Sequence, residues 1–192
     1  MKRFTLVTGI LALAAPLALA QTSTWKIDPA HSEVDFTVRH MSVSNIHGRF
    51  AIQSGQILLN EADVTKSSVQ VTIDATSVDT GVSPRDNDLK SANFFDVTNF
   101  PTATFTSTAV AKTASGLTVT GNLTLHGVTK PVVLDVEGPS GPTPGMMDHK
   151  PHSGYSATTT LKRTDFGIAT KFPAAAVGDD IKLSIDIEAV KQ

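Results

Sequence analysis

Residues 31–40 read HSEVDFTVRH. Val34, Phe36 and Val38 alternate with Glu33, Asp35, Thr37 and Arg39, and the apolar series runs on in phase to the imidazole of His40. Alternation with period two marks a strand with one wet face and one dry face. A dry face has to cover something, either a core packed from its own side chains or a guest. The same pattern recurs through most of the chain. Phe50 and Ile52 share a parity after Gly48, and Val69, Val71 and Ile73 alternate with Ser68, Gln70, Thr72 and Asp74. Thr102, Thr104, Thr106 and Thr108 interleave with Ala103, Phe105, Ser107 and Ala109. Residues 116–126 and 132–136 flank the turn His126-Gly127-Val128-Thr129, and residues 155–163 form another run. Ile181, Leu183, Ile185 and Ile187 face away from Lys182, Ser184, Asp186 and Glu188. About eight strands with short connections predict an all-β antiparallel sandwich or barrel. Alternation alone does not separate the two, because both bury one face of every strand.

Two segments break the pattern. SPRDNDLKSANFF, residues 83–95, reads as a short helix with Ser83 as N-cap, Pro84 at the first helical position and Asp86 three residues after the cap. Its end offers Phe94 and Phe95 to the sheet. GPSGPTPGMMDHKPHSG, residues 138–154, is rich in Pro and Gly and reads as a mobile surface loop.

The first 20 residues belong to neither. Lys2 and Arg3 precede a mostly apolar run broken by Pro16, and Ala18-Leu19-Ala20 supplies small residues for cleavage, so residues 1–20 read as a secretory signal peptide. A retained anchor would need about 20 uninterrupted apolar residues. Residues 21–192 then form one domain, of a length that supports its own core. The full chain has a formal net charge of −2 and contains no cysteine. The charge excludes a basic field for nucleic acid or anionic lipid, and the missing thiols exclude disulfides, thiolate metal sites and cysteine nucleophiles. No G-x-S-x-G elbow, G-x-G-x-x-G turn, Walker loop or H-E-x-x-H helix occurs. Catalysis is not expected.

The six histidines are His31, His40, His47, His126, His149 and His152. His31, close to Pro29, suits a turn cap. His126 is in phase with Thr120, Asn122 and Thr124 and should be an exposed strand-end residue. His40 falls on the inward parity. There it is either a satisfied core imidazole or a polar contact to a ligand headgroup at a cavity mouth. Met146, Met147, His149 and His152 combine thioether and imidazole, a set that suits copper, but ordering a Gly/Pro loop around an ion is costly. The solvated loop is the expectation, with no metal site and no cofactor.

The ordered series WKIDPAHSEVDFTVRH (25–40), GRF (48–50), RDNDLKSANFFDV (85–97), FPTATFTST (100–108), GNLTLHGVTKPV (121–132), LKRTDFGI (161–168) and VGDDIKLSIDIEAV (177–190) resembles the YceI-like family of periplasmic polyisoprenoid-binding proteins. The likeness spans residues 24–190. It implies an all-β fold, an eight-stranded antiparallel lipocalin-like barrel with one short helix, whose elongated apolar cavity holds a long isoprenoid or similar lipid. It also implies a periplasmic or secreted carrier with no nucleic-acid partner, for which transient membrane contact and oligomerisation stay open. By parity and by position in the matched motifs, the cavity lining is expected from Phe36, Val38, His40, Phe50, Phe94, Phe95, Phe105 and Phe166. Arg39, Arg85 and Arg163 lie in the same motifs as headgroup candidates, against local pairing of Arg85 with Asp86 and Arg163 with Asp165. The chain departs from the family at Asp88, where members commonly carry His, and in residues 148–154, which lack a Trp-Gly pair. The rival reading is a ligand-free stress-response or interaction module whose barrel is filled by its own side chains.

Overall fold

The structure is a computed structural model and describes residues 22–192; the signal peptide read at residues 1–20 lies outside the described residues. Nine strand segments and one helix follow in the order β1 (Thr22–Ile27), β2 (Glu33–His40), β3 (Ser44–Asn60), β4 (Ser68–Asp74), α1 (Ser83–Lys90), β5 (Thr102–Lys112), β6 (Leu117–Leu125), β7 (Val128–Pro144), β8 (Pro151–Lys162) and β9 (Val177–Lys191). Each of β2 to β8 pairs antiparallel with the next, and β9 pairs back onto β2. The ring therefore closes with eight staves. The first stave is split: β1 runs between β3 and β9 beyond the end of β2, and the 3₁₀ turn Pro29–His31 separates the two pieces. Sandwich and barrel, which alternation could not separate, resolve to a closed barrel.

Closure needs the sheet to bend, and the ladder is irregular where it does. Register shifts occur between Val38 and His40 against β9, between Ile52 and Ser54 against β4, and between Ser107 and Ala109 against β6. Such bulges locally raise twist and curvature. The dry faces point inward. Val34, Phe36, Ile52, Phe105, Val119, Leu123, Val136 and Ala157 are all buried, as their parities require.

Four expectations are corrected. His40 is exposed: it is the last residue of β2, where the strand turns into β3 and no packed layer covers it. His126 is half-buried: its backbone adopts φ 51°, and Nδ1 donates to the Phe166 carbonyl at 3.0 Å with the ring edge-on to Phe100. The helix ends at Lys90 and is capped at Val82 without a side-chain bond; Asp86 instead accepts from the backbone N–H and hydroxyl of Thr80. Phe94 and Phe95 sit in the turns that follow.

The fourth correction concerns residues 138–154, which are strand through most of their length. β7 and β8 pair at Ser140 with Gly154, Thr143 with His152 and Pro144 with Pro151, and the ladder shifts register so that it skips Pro139 and Pro142. Proline has no N–H to donate, so a ladder that steps over it loses nothing. Gly145 donates to the Lys150 carbonyl to close the hairpin. No helix among the described residues is long and apolar enough to cross a membrane.

Candidate functional site: two dry chambers inside the barrel

The inward side chains do not fill the barrel. Two adjoining cavities of about 130 and 150 Å³ lie along its interior. The first is bounded by Phe36, Val38 and Phe50 on the β2–β3 side, by Leu89, Phe94 and Phe95 from α1 and the turn after it, and by Phe166 and Ile181. The second is bounded by Ile52, Val71, Phe105, Val119, Val136, Tyr155 and Ile187. Val34, Ile73, Leu123, Leu161 and Leu183 line both, which makes them the waist between the chambers. No polar atom exposes surface to either chamber. A water needs roughly 10–15 Å³ and two to four polar partners. These spaces have the room many times over and lack the partners, so they are dry.

Aromatic rings shape the walls. Phe50 contacts Phe36 at 5.4 Å and stands edge-on to Phe95 at 5.1 Å, joining the barrel wall to the segment after α1. Phe94 stacks on Phe172 at 5.3 Å. Two rings depend on glycine opposite them. Phe36 lies over Gly48 and Phe105 over Gly121, and a Cβ at either glycine would meet the ring.

The structure therefore brings Phe36, Val38, Phe50, Phe94, Phe95 and Phe166 together around one chamber and places Phe105 in the other. The polar candidates go elsewhere. Arg39 is exposed and donates to Asn45 and to the Ser42 carbonyl. Arg85 donates to the hydroxyl and carbonyl of Thr80, not to Asp86. Arg163 borders the first chamber, but its buried guanidinium donates to the carbonyls of Ile168, Ala169, Phe172, Val177 and Gly178. Its nearby carboxylate is Asp179 at 4.0 Å, not Asp165.

Tyr155, the chain's single tyrosine, is a wall residue that the sequence reading passed over. Its parity with Ala157 and Leu161 in β8 was the available signal. The phenol oxygen is buried with no hydrogen-bond partner among the described residues. Burial pushes this phenol up, an effect the neighbouring Ser153 hydroxyl only partly offsets.

A polar cluster lies outside the barrel. Asp28 Oδ1 accepts from Ala30 N while Oδ2 meets His31 Nδ1 at 2.8 Å. That bond holds the carboxyl of Asp28 low and raises the imidazole of His31. His152 lies between Glu188, 2.6 Å from Nδ1, and Asp148, 3.1 Å from Nε2, and is raised by Glu188 first and Asp148 second. The histidine of the Met/His hairpin is thus held by carboxylates, while Met146 and Met147 stand in solvent at 95 % exposure.

The family model described as YceI-like domain matches residues 25–189. Protein YceI of Salmonella newport is 36 % identical over 197 residues, covering the whole of both chains. The crystal structure of Burkholderia cenocepacia BcnA superposes with a TM-score of 0.70 at 25 % identity, covering 84 % of this chain and 98 % of that one. A domain from Saccharophagus degradans, described as polyisoprenoid-binding and implicated in plant cell wall breakdown, shares the fold with a TM-score of 0.63 at 17 % identity, covering 88 % and 98 %.

Proposed function

The chain belongs to the YceI-like family, and from that premise we propose that it binds an isoprenoid or similarly apolar-tailed lipid inside the barrel and sequesters or carries it through water. The observation that carries the reading is the pair of adjoining dry chambers, empty of the chain's own side chains and without polar surface. Phe36, Val38, Phe50, Phe94, Phe95 and Phe166 grip the tail in the first chamber and Phe105 in the second. Arg163 serves the wall rather than a headgroup, and His40 and Arg39, both exposed and lining neither chamber, are left out of the contact set. The S. degradans domain of the same fold is named for polyisoprenoid binding; the proposal extends that ligand class to this chain.

The magnitudes are favourable. A tail that buries several hundred Å² gains on the order of 10–20 kcal/mol at about 25 cal/mol per Å². Association costs roughly 4–15 kcal/mol, which leaves room for micromolar affinity without a charged contact. An apolar cavity of roughly 150 Å³ accepts a benzene-sized guest, so each chamber takes about one isoprene unit as it stands. A longer tail requires the rings around α1 to yield. The leader read at residues 1–20 supports a periplasmic or secreted location, where such a tail would otherwise aggregate or stay in a membrane. The chemistry needed is binding alone.

The test is to purify the exported protein under native conditions, extract it with organic solvent and analyse the extract by mass spectrometry. A stoichiometric isoprenoid or fatty lipid is expected. A clean extract, together with failure of the stripped protein to take up farnesol, would remove the proposal.

A further inference from the structure

The polar corner outside the barrel has the makings of a metal site. The 3₁₀ turn Pro29–His31 has about three residues per turn, so positions three apart eclipse, and Asp28 and His31 project on one side of it. Glu188 of β9 is fixed against the same turn. Its carbonyl accepts from Asp28 N and its own N–H donates to the Ser32 hydroxyl at 2.9 Å, while Ser32 donates back to that carbonyl. As a result one ligand atom from each of Asp28, His31 and Glu188 lies within 4.8 Å of the others. The three donors come from two distant parts of the chain, and both parts are tied down by backbone bonds. Preorganisation of this kind is what a functional site requires.

The electrostatics also lack a partner. Asp28, Asp148 and Glu188 make their ion pairs with imidazoles alone among the described residues, so no lysine or arginine supplies a permanent positive charge here. Three carboxylates converge on two imidazoles, so negative groups outnumber positive ones whatever the imidazoles carry. A divalent ion would balance them.

We propose that Asp28, His31 and Glu188 bind one borderline divalent ion, zinc or copper(II), on the outside of the barrel where the split first stave meets β9. Two carboxylate oxygens and one imidazole nitrogen are donors that both ions accept, and three protein ligands leave a further position to water. His152 acts behind the ligands: its Nδ1 sits on Glu188 and its Nε2 on Asp148, a chain that orients the Glu188 carboxylate. Met146 and Met147 line the same outer groove as His31, His152 and Glu188, so the hairpin singled out by its Met/His composition borders this site and does not form it. The ion would clamp β1, β2 and β9 together where the stave is broken.

The experiment is a calorimetric titration of the chelator-stripped protein with zinc chloride and, separately, with copper(II) sulfate. One equivalent should bind. His31→Gln and Glu188→Gln should each weaken binding at least ~10-fold and His152→Gln by about 10-fold, while His149→Gln, in the hairpin turn, should change nothing. Absence of saturable binding, or binding that survives His31→Gln and is lost in His149→Gln, overturns the proposal. A second readout needs no variant. Substoichiometric copper(II) should broaden the amide signals of Asp28, His31 and Glu188 first in the wild type, and broadening centred elsewhere overturns it equally.

Discussion

Arg163 illustrates how a residue can lie beside a cavity without serving it. The residue is 5 % exposed, and its guanidinium satisfies five carbonyls between Ile168 and Gly178, tying the 3₁₀ turn Arg163–Phe166 to the segment that leads into β9. Removing it takes a donor from five buried or half-buried carbonyls at once, so Arg163→Ala should destabilise the fold by about 3–5 kcal/mol. Arg163→Lys should recover only a minor part, because an ammonium cannot reproduce a planar fork of donors. Urea unfolding of the three proteins checks both; wild-type stability in either variant would contradict the assignment. The sequence made this arginine visible within LKRTDFGI but not its partners, since they are backbone atoms brought round by a fold-back that no local spacing encodes. His40 failed for a related reason. β2 keeps its register with β3 through to Ser44, so the period still runs through position 40, but the strand ends there and the imidazole stands in solvent; where a strand outruns the core is set by the fold, not by its period.

At the scale of elements, alternation was nearly sufficient. The inward set of β9 is the set read from the sequence, and those of β2 and β5 hold as far as Val38 and Phe105, because side-chain parity is a local property of extended backbone. β7 and β8 were misread through residues 138–154, where Gly and Pro usually mean a loop. Here the hydrogen-bond ladder steps around Pro139 and Pro142 and sets Pro144 against Pro151 at its end, and only a partner strand could reveal that. The match between ring and glycine across strands was hidden in the same way. Phe105 fits over Gly121 because β5 and β6 make the two diagonal neighbours, Phe105 pairing with Leu123 and Gly121 with Ser107. Gly121→Val should force that ring into the second chamber, cost about 1–3 kcal/mol by overpacking and lower affinity for farnesol by roughly tenfold. Thermal melts and a ligand-displacement titration measure the two effects separately; unchanged affinity would mean that the second chamber takes no part in binding.

For the molecule as a whole, the surface carboxylates set its response to acid. Asp63, Asp79 and Asp179 are held below the ordinary value of 3.8, Asp63 chiefly by the Thr65 hydroxyl, Asp79 by Gly81 N–H and then Arg49, and Asp179 by the Thr164 hydroxyl. Glu61 is held below 4.5 by Lys191. A folded value below the unfolded one means that the unfolded chain takes up protons first as pH falls. The stabilisation is therefore present above the unfolded value and lost as pH drops through the folded values. The melting temperature should fall steeply below about pH 4, and above about pH 6.5 it should decline gently as His31 and His152, whose folded values are raised, lose their protons. Asp79→Asn should melt lower than wild type near neutrality and converge with it in acid. A scan with parallel curves for the two proteins would refute the assignment to Asp79.

The closed ring carries one more consequence. An open sheet ends in a row of amide and carbonyl groups on which another polypeptide can grow, the usual seed of fibres and swapped pairs. Here the last stave is already paired with the first. Stretches that outrun their neighbours keep such a row, as on the outer side of β7 beyond Val136, and there Pro139, Pro142 and Pro144 withhold their donors, which leaves a second copy little to build on.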